Sequence, residues 1–126
     1  MTETCSFTIK TSAHSQMKDI TENVKRIIAE SGVESGICVV FSAHTTGGIT
    51  NENADPDVKS DMLCGLDRAV PWSAGYRHME GNSAAHIKAS LMGFSQTIII
   101  SRGKPLLGTW QNIYFAEFDG PRTRTV

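Results

Sequence analysis

The chain has no C-x-x-C, and its three cysteines, Cys5, Cys38 and Cys64, lie far apart. Neither a disulfide framework nor a cysteine-rich zinc site is suggested by that spacing. Charge of one sign is missing too: 12 Lys and Arg stand against 13 Asp and Glu. General nucleic-acid binders usually carry a basic surplus, so no nucleic-acid partner is expected. No basic segment followed by an apolar stretch opens the chain, and every apolar run is too short to span a bilayer. Neither a secretory signal nor a membrane partner is therefore expected, and a cytoplasmic protein is. The loops G-x-x-x-x-G-K-[ST] and G-x-G-x-x-G are absent, as are H-E-x-x-H, internal repeats and low-complexity tracts. What remains is 126 residues, 40% hydrophobic, enough for one domain (1–126) with a real core.

Alternation of Phe7 and Ile9 with Thr8 and Lys10 predicts a strand over 6–11. Met17, Ile20, Val24, Ile27 and Ile28 share one stripe of a helix over roughly 14–31, stopped by Gly32. Ile37 to Phe41 reads as a strand covered on both faces. Gly47 and Gly48 then suggest a bulge or a close backbone approach. Asp55-Pro56 starts a helix, with Asp55 as cap, Pro56 at the first position and an apolar face of Val58, Met62, Leu66, Ala69 and Val70. A loop over 76–83 follows. Asn82 or Ser83 then caps a short helix over 84–92, with Ala84, Ile87 and Leu91 inward and Gly93 as stop. Strands are expected at 97–101, 105–107, 111–118 and 122–126, with 97–101 buried. Grouped strands and helices in this order indicate an α+β fold.

Chemistry is concentrated in two polar, glycine-bearing stretches. One holds His44, Thr45, Thr46, Asn51 and Glu52; the other holds Arg77, His78, Glu80, Asn82 and His86. Histidine suits divalent-metal ligation or proton transfer near neutral pH. Each residue also has a plain structural role open to it. His44 can close a strand end, the 76–83 loop can be solvated, and His86 can pack among Ala85, Ala89 and Ser90. His78 and Glu80 form H-x-E, as in zinc deaminases, but the P-C-x-x-C those sites need is absent. Three histidines from separate elements can form an open metal site, although spacing alone does not bring them together. Arg122, after Asp119-Gly120-Pro121, can be aimed at an anionic group, and Gln111 can supply an oriented amide.

The stretches HTTGGITNENADPDV, HMEGNSAAHIKASLMG and GTWQNIYFAEFDGPRTR closely resemble the YjbQ family, also called UPF0047, and the resemblance covers nearly the whole chain. It implies an α+β fold of two packed, mostly antiparallel sheets, sandwich-like, with about three helices. It further implies a homotrimer, with apolar surface such as the Trp110–Phe118 strand buried between subunits. The implied activity is that of a secondary thiamine-phosphate synthase, joining hydroxymethylpyrimidine diphosphate to thiazole phosphate with release of pyrophosphate. On this reading His44, Glu52, Glu80 and Arg122 are catalytic, and Thr45, Asn51, Asn82 and Gln111 bind substrate. His44, His78 and His86 hold a divalent metal, zinc or magnesium, or meet the diphosphate directly. Many relatives carry an acidic pair where this chain has Asn82-Ser83, which should weaken a cation site. Two other readings use the same residues: a hydrolase with a metal-activated water, and a non-catalytic trimer that binds a small ligand or metal.

Overall fold

The computed structural model describes residues 3–126. Among them are eight strands and three helices: β1 (Thr8–Lys10), β2 (Gln16–Asp19), α1 (Thr21–Ser31), β3 (Ser35–Phe41), β4 (Gly47–Asn53), α2 (Pro56–Ala69), α3 (Ser83–Met92), β5 (Ser95–Ser101), β6 (Lys104–Pro105), β7 (Gln111–Glu117) and β8 (Thr123–Thr125). All pairings are antiparallel. β2-β7-β4 and β3-β5-β6 form the two larger sheets, and β1 pairs with β8. The architecture is the expected α+β sandwich. No helix among the described residues is long and apolar enough to cross a membrane.

β7 sits at the centre, and its alternation defines two cores. Ile113 and Phe115 face a cluster with Ile49, Ile98, Ile100, Val40 and the α1 residues Val24 and Ile28. Tyr114, Ala116 and Phe118 face the other way, where Ala85 and Ala89 of α3 and Met62, Leu63 and Leu66 of α2 close over them. Successive side chains of a strand point to opposite faces, so one central strand serves both layers. Most apolar side chains of the Trp110–Phe118 segment are therefore used within the chain. From Ile113 onward it is buried within the chain, although Trp110 is exposed.

Several local signals are realised. Asp55 accepts a hydrogen bond from the Asp57 N–H at 2.7 Å, and Pro56 opens α2. Gly32 ends α1 in the left-handed region at φ 72°. Gly47 and Gly48 lie in regular register with β7, so there is no bulge, but both are tightly packed. A Cβ on Gly47 would collide with the Phe115 ring, and one on Gly48 would lie 2.5 Å from the Gly93 carbonyl.

Four expectations are corrected. The stretch expected to begin the first helix is a strand: Gln16–Asp19 pairs with β7, and Met17 is buried against α3. The helix begins at Thr21, whose N–H is taken by the Asp19 carboxylate at 2.9 Å. β3 and β5 are each covered on one face only; Ile37, Val39 and Phe41 on β3, and Ile99 on β5, remain more than half exposed. The inward face of α3 is made of small residues and Lys88, whereas Ile87 and Leu91 look outward. Asn82 stands at the α3 N-terminus without capping it, because its side chain is engaged elsewhere.

Candidate functional site

The turn after β7 gathers the polar chemistry. Asp119 Oδ2 accepts from Asn82 Nδ2 at 2.8 Å and from Arg122 Nη2 at 2.8 Å. Arg122 Nε donates to the Asp119 carbonyl at 2.7 Å, which fixes the guanidinium and leaves other N–H groups of its fork available. Asn82 is more than nine-tenths buried, and its Oδ1 has no hydrogen-bond partner. Segments near 82 and 122 thus meet on one carboxylate.

Behind this turn lies a buried ion pair. Glu117 Oε1 accepts from Arg124 Nε at 2.8 Å and from Thr11 Oγ1 at 2.8 Å. Glu117 Oε2 pairs with Arg124 Nη2, and it accepts from the Asp119 N–H at 3.1 Å. Burial pushes the Glu117 carboxyl up, but hydrogen bonds from Arg124, Asp119 and Thr11 outweigh it and hold the pKa below the ordinary value. Arg124 also reaches Thr46 Oγ1 at 2.8 Å, tying β8 to the loop that carries His44.

His44 accepts the Thr125 N–H on Nε2 at 3.0 Å, and its ring stands edge-on to Phe115, centroids 6.2 Å apart. Burial, with Arg124 close by, lowers its pKa below 6.5 and keeps it neutral at pH 7. His78 and His86 lie edge-on to each other, centroids 5.7 Å apart, and His78 Nε2 is 3.9 Å from Glu80 Oε2. The three histidines do not form one ligand set within the chain. Among the described residues no three His, Cys, Asp or Glu side chains are placed to hold a metal ion. The physical reason is that His44 is tied to the end of β8, whereas His78 and His86 flank the start of α3. The residues of one chain therefore do not fit a three-histidine metal.

The remaining candidates are dispersed. Asn51 and Glu52 lie towards the far end of the β4–β7 ladder, paired with Ile113 and Asn112, whereas Asp119 lies beyond the opposite end. Strand rise over that span is about 3.3 Å per residue, so the two groups are on the order of 20 Å apart within one chain. Glu52 Oε1 accepts the Asn53 N–H at 2.9 Å, Asn51 Oδ1 is buried without a partner, and Gln111 Oε1 accepts the Gly108 N–H at 2.9 Å. Thr45 is exposed in the loop beside His44.

Sequence reasoning missed His14, Ser15, Asp67 and Trp72, which with Asp119 line an open recess of about 510 Å³. His14 stands edge-on to Trp72 with centroids 4.4 Å apart, and its Nε2 is 3.8 Å from Asp119 Oδ1. Lys88, buried to within 2%, pairs with Asp67 Oδ1. Lys88 falls in the HIKAS stretch, and a lysine at a buried helical position was the signal available. His14 and Trp72 carried no motif.

The fold and site define an antiparallel α+β sandwich with a polar, mixed-charge recess at one end of its central strand. A family model described as "UPF0047 protein YjbQ-like" matches residues 5–126. The chain belongs to the UPF0047 (YjbQ-like) family. It is 56% identical to UPF0047 protein YugU of Bacillus subtilis over 119 residues, covering 93% of this chain and 90% of that one. It is also 56% identical to UPF0047 protein MJ1081 of Methanocaldococcus jannaschii over 119 residues, covering 94% and 86%. A crystal structure of an uncharacterized yjbq/upf0047 family protein from Clostridium acetobutylicum superposes with a TM-score of 0.94 at 58% identity, covering 97% of this chain and 95% of that one.

Proposed function

We propose that this chain catalyses the secondary thiamine-phosphate synthase reaction, with the turn at Asp119–Arg122 as the centre of the site. The observation that carries the reading is the convergence of Asn82 and Arg122 on Asp119, beside the His78–His86 pair and Glu80. In this reaction the thiazole nitrogen donates its lone pair to the pyrimidine methylene, and the carbon–oxygen bond electrons leave with pyrophosphate. Arg122, held by two hydrogen bonds, supplies N–H groups to the departing diphosphate without reorganising. His78 and His86 add donors nearby, and Glu80 orients His78. His44, whose Nε2 accepts the Thr125 N–H, carries its ring proton on Nδ1 when neutral and is a hydrogen-bond donor at the same end of the sheet. Glu52 orients a ligand group, and Thr45, Asn51, Asn82 and Gln111 line the path of the two substrates.

The assembly we propose is a homotrimer. Its support is the outward apolar stripe of Ile37, Val39, Phe41 and Ile99, larger than isolated surface residues require. For Asn51 and Glu52 to share the site, the trimer must bring that end of one chain toward the Asp119 end of another.

The test is direct formation of thiamine phosphate and pyrophosphate from the two precursors, with wild type against Arg122→Ala. Losing a charge-assisted contact to the leaving group predicts about a hundredfold drop in turnover. No product from wild type, or full activity in the variant, overturns the reading. A hydrolase working through a His-bound divalent metal is the second reading, favoured by the His78–His86 pair. It predicts a hydrolysed product without the thiazole partner, and activity abolished by chelation. Tight binding without turnover supports a non-catalytic trimer.

A further inference from the structure

Two cysteines that are far apart along the chain meet at one rim of the core. The β1–β8 pairing runs one residue beyond the strands: the Phe7 N–H donates to the Val126 carbonyl at 3.0 Å, and the Val126 N–H to the Phe7 carbonyl at 2.9 Å. Ile9 is buried and Phe7 half-buried on one side of this segment, and both pack on the cluster that holds Val40 and Ile98. Side chains two residues apart on an extended chain share a face, so the next position on that side is Cys5. From across the cluster, β3 presents Val40 and Cys38 to the same core. Its other face carries Ile37, Val39 and Phe41, so Cys38 points away from the outward apolar stripe. Burial raises the pKa of the Cys38 thiol above 9.0, and the charge of Cys5 adds to the rise. Such an influence falls off with distance, so the two sulfur atoms are neighbours. Cys5 is exposed and Cys38 partly covered.

We propose that Cys5 and Cys38 are a reversible modification site, closed to an intramolecular disulfide by a small-molecule disulfide and reopened by small thiols. Cys5, the exposed member, reacts first. Its thiolate attacks one sulfur of the small disulfide and expels the other half as a thiolate. Cys38 then gives up its proton to solvent, its thiolate attacks the Cys5 sulfur, and the second half leaves as a thiolate. Two protein thiols are oxidised, one small disulfide is reduced to two thiols, and the protons released by the cysteines end on those thiols. Cys64 lies on α2, which packs on the opposite core, and takes no part. The bond ties the segment before β1 across β3. The β1–β8 ladder passes that restraint to β8, which carries Arg124 and the Thr125 N–H that His44 accepts. Oxidation thus stiffens the strand that holds His44 without altering any residue of the site.

The experiment treats the full chain with oxidised glutathione at mildly alkaline pH, blocks the remaining thiols with iodoacetamide and maps the products by mass spectrometry. The expected product links the peptides of Cys5 and Cys38, leaves Cys64 alkylated, and reverts with dithiothreitol. The oxidised chain should melt on the order of 10 °C higher, because the bond closes a long loop of the unfolded chain. Amide exchange at Phe7 and Val126 should slow on oxidation, a local readout that a bond elsewhere would not move. Cys5→Ser, at an exposed position, keeps the fold and loses the link, the higher melting temperature and the slowed exchange. Cys64→Ser oxidises as the wild type does. A glutathione adduct that stays on Cys5 while Cys38 is alkylated, a link through Cys64, or no link at all overturns the proposal. Unchanged exchange at Phe7 and Val126 in the linked chain overturns its coupling to β8.

Discussion

Replacing Arg124 by Met tests whether the buried ion pair holds the C-terminal strand in place. Arg124 is 3% exposed and Glu117 fully buried, and the guanidinium meets both carboxylate oxygens. Methionine keeps the packing volume but leaves the carboxylate with only Thr11 Oγ1 and the Asp119 N–H as donors. Breaking a buried pair by removing one partner costs about 3–5 kcal/mol. The two remaining donors place this case near the lower end, at about 3 kcal/mol. For 126 residues, the unfolding entropy makes each kcal/mol worth roughly 4 °C, so the melting temperature should fall by roughly 12 °C. Melts and denaturant unfolding at pH 7 and fixed protein concentration measure it. The pH dependence supplies an independent sign. In the wild type Glu117 lies below 4.5, so its contribution is present above that value and is lost as pH falls through the folded pKa. In the variant burial is no longer outweighed, the carboxyl rises, and stability increases as pH is lowered from 7. The double variant Glu117→Gln, Arg124→Met should lose less than Arg124→Met alone. A loss below about 1 kcal/mol, the range of exposed pairs, would refute the reasoning.

Three further outcomes follow from the same contacts. Gly47→Ala drives a methyl into the buried Phe115 ring, and overpacking of that kind costs about 1–3 kcal/mol, readable in a melt. Asp55→Ala removes the cap of α2 and should lose about 1 kcal/mol, whereas Asp55→Asn should retain most of it. His44 has a folded pKa below 6.5, so the unfolded chain binds its proton more readily. Stability should therefore rise with pH between the folded pKa and 6.5 and level off above, and His44→Gln should flatten that slope in denaturant unfolding.

The candidate site was legible in its residue types and only partly in its geometry. His78, Glu80, Asn82, Asp119 and Arg122 were singled out, and Asn82, Asp119 and Arg122 are joined by hydrogen bonds no spacing rule specifies, with His78 and Glu80 3.9 Å apart in the loop before Asn82. The three-histidine set was an inference from type alone, and it fails within one chain because His44 is held by Thr125 at a separate strand end. Lys88 and Asp67, 21 residues apart, belong to no motif in the sequence. Only the packing of α3 against its neighbours buries the lysine and makes that pair a wall of the recess.

What the sequence by itself determined is local: the Asp55–Pro56 start of α2, the Gly32 stop, the close approach at Gly47–Gly48, and the three long segments that mark the family. These depend on interactions within a few residues, or on a backbone conformation that one residue type permits. The tertiary structure alone decided that Gln16–Asp19 is a strand, since Met17, Ile20 and Val24 satisfy a helical period until β7 pairs with the segment. It alone exposed one face of β3, because a run of apolar residues does not say how many layers cover it. It alone brought His14, Asp67, Trp72 and Asp119 to one recess, since contacts across more than a hundred residues are set by sheet register and helix packing.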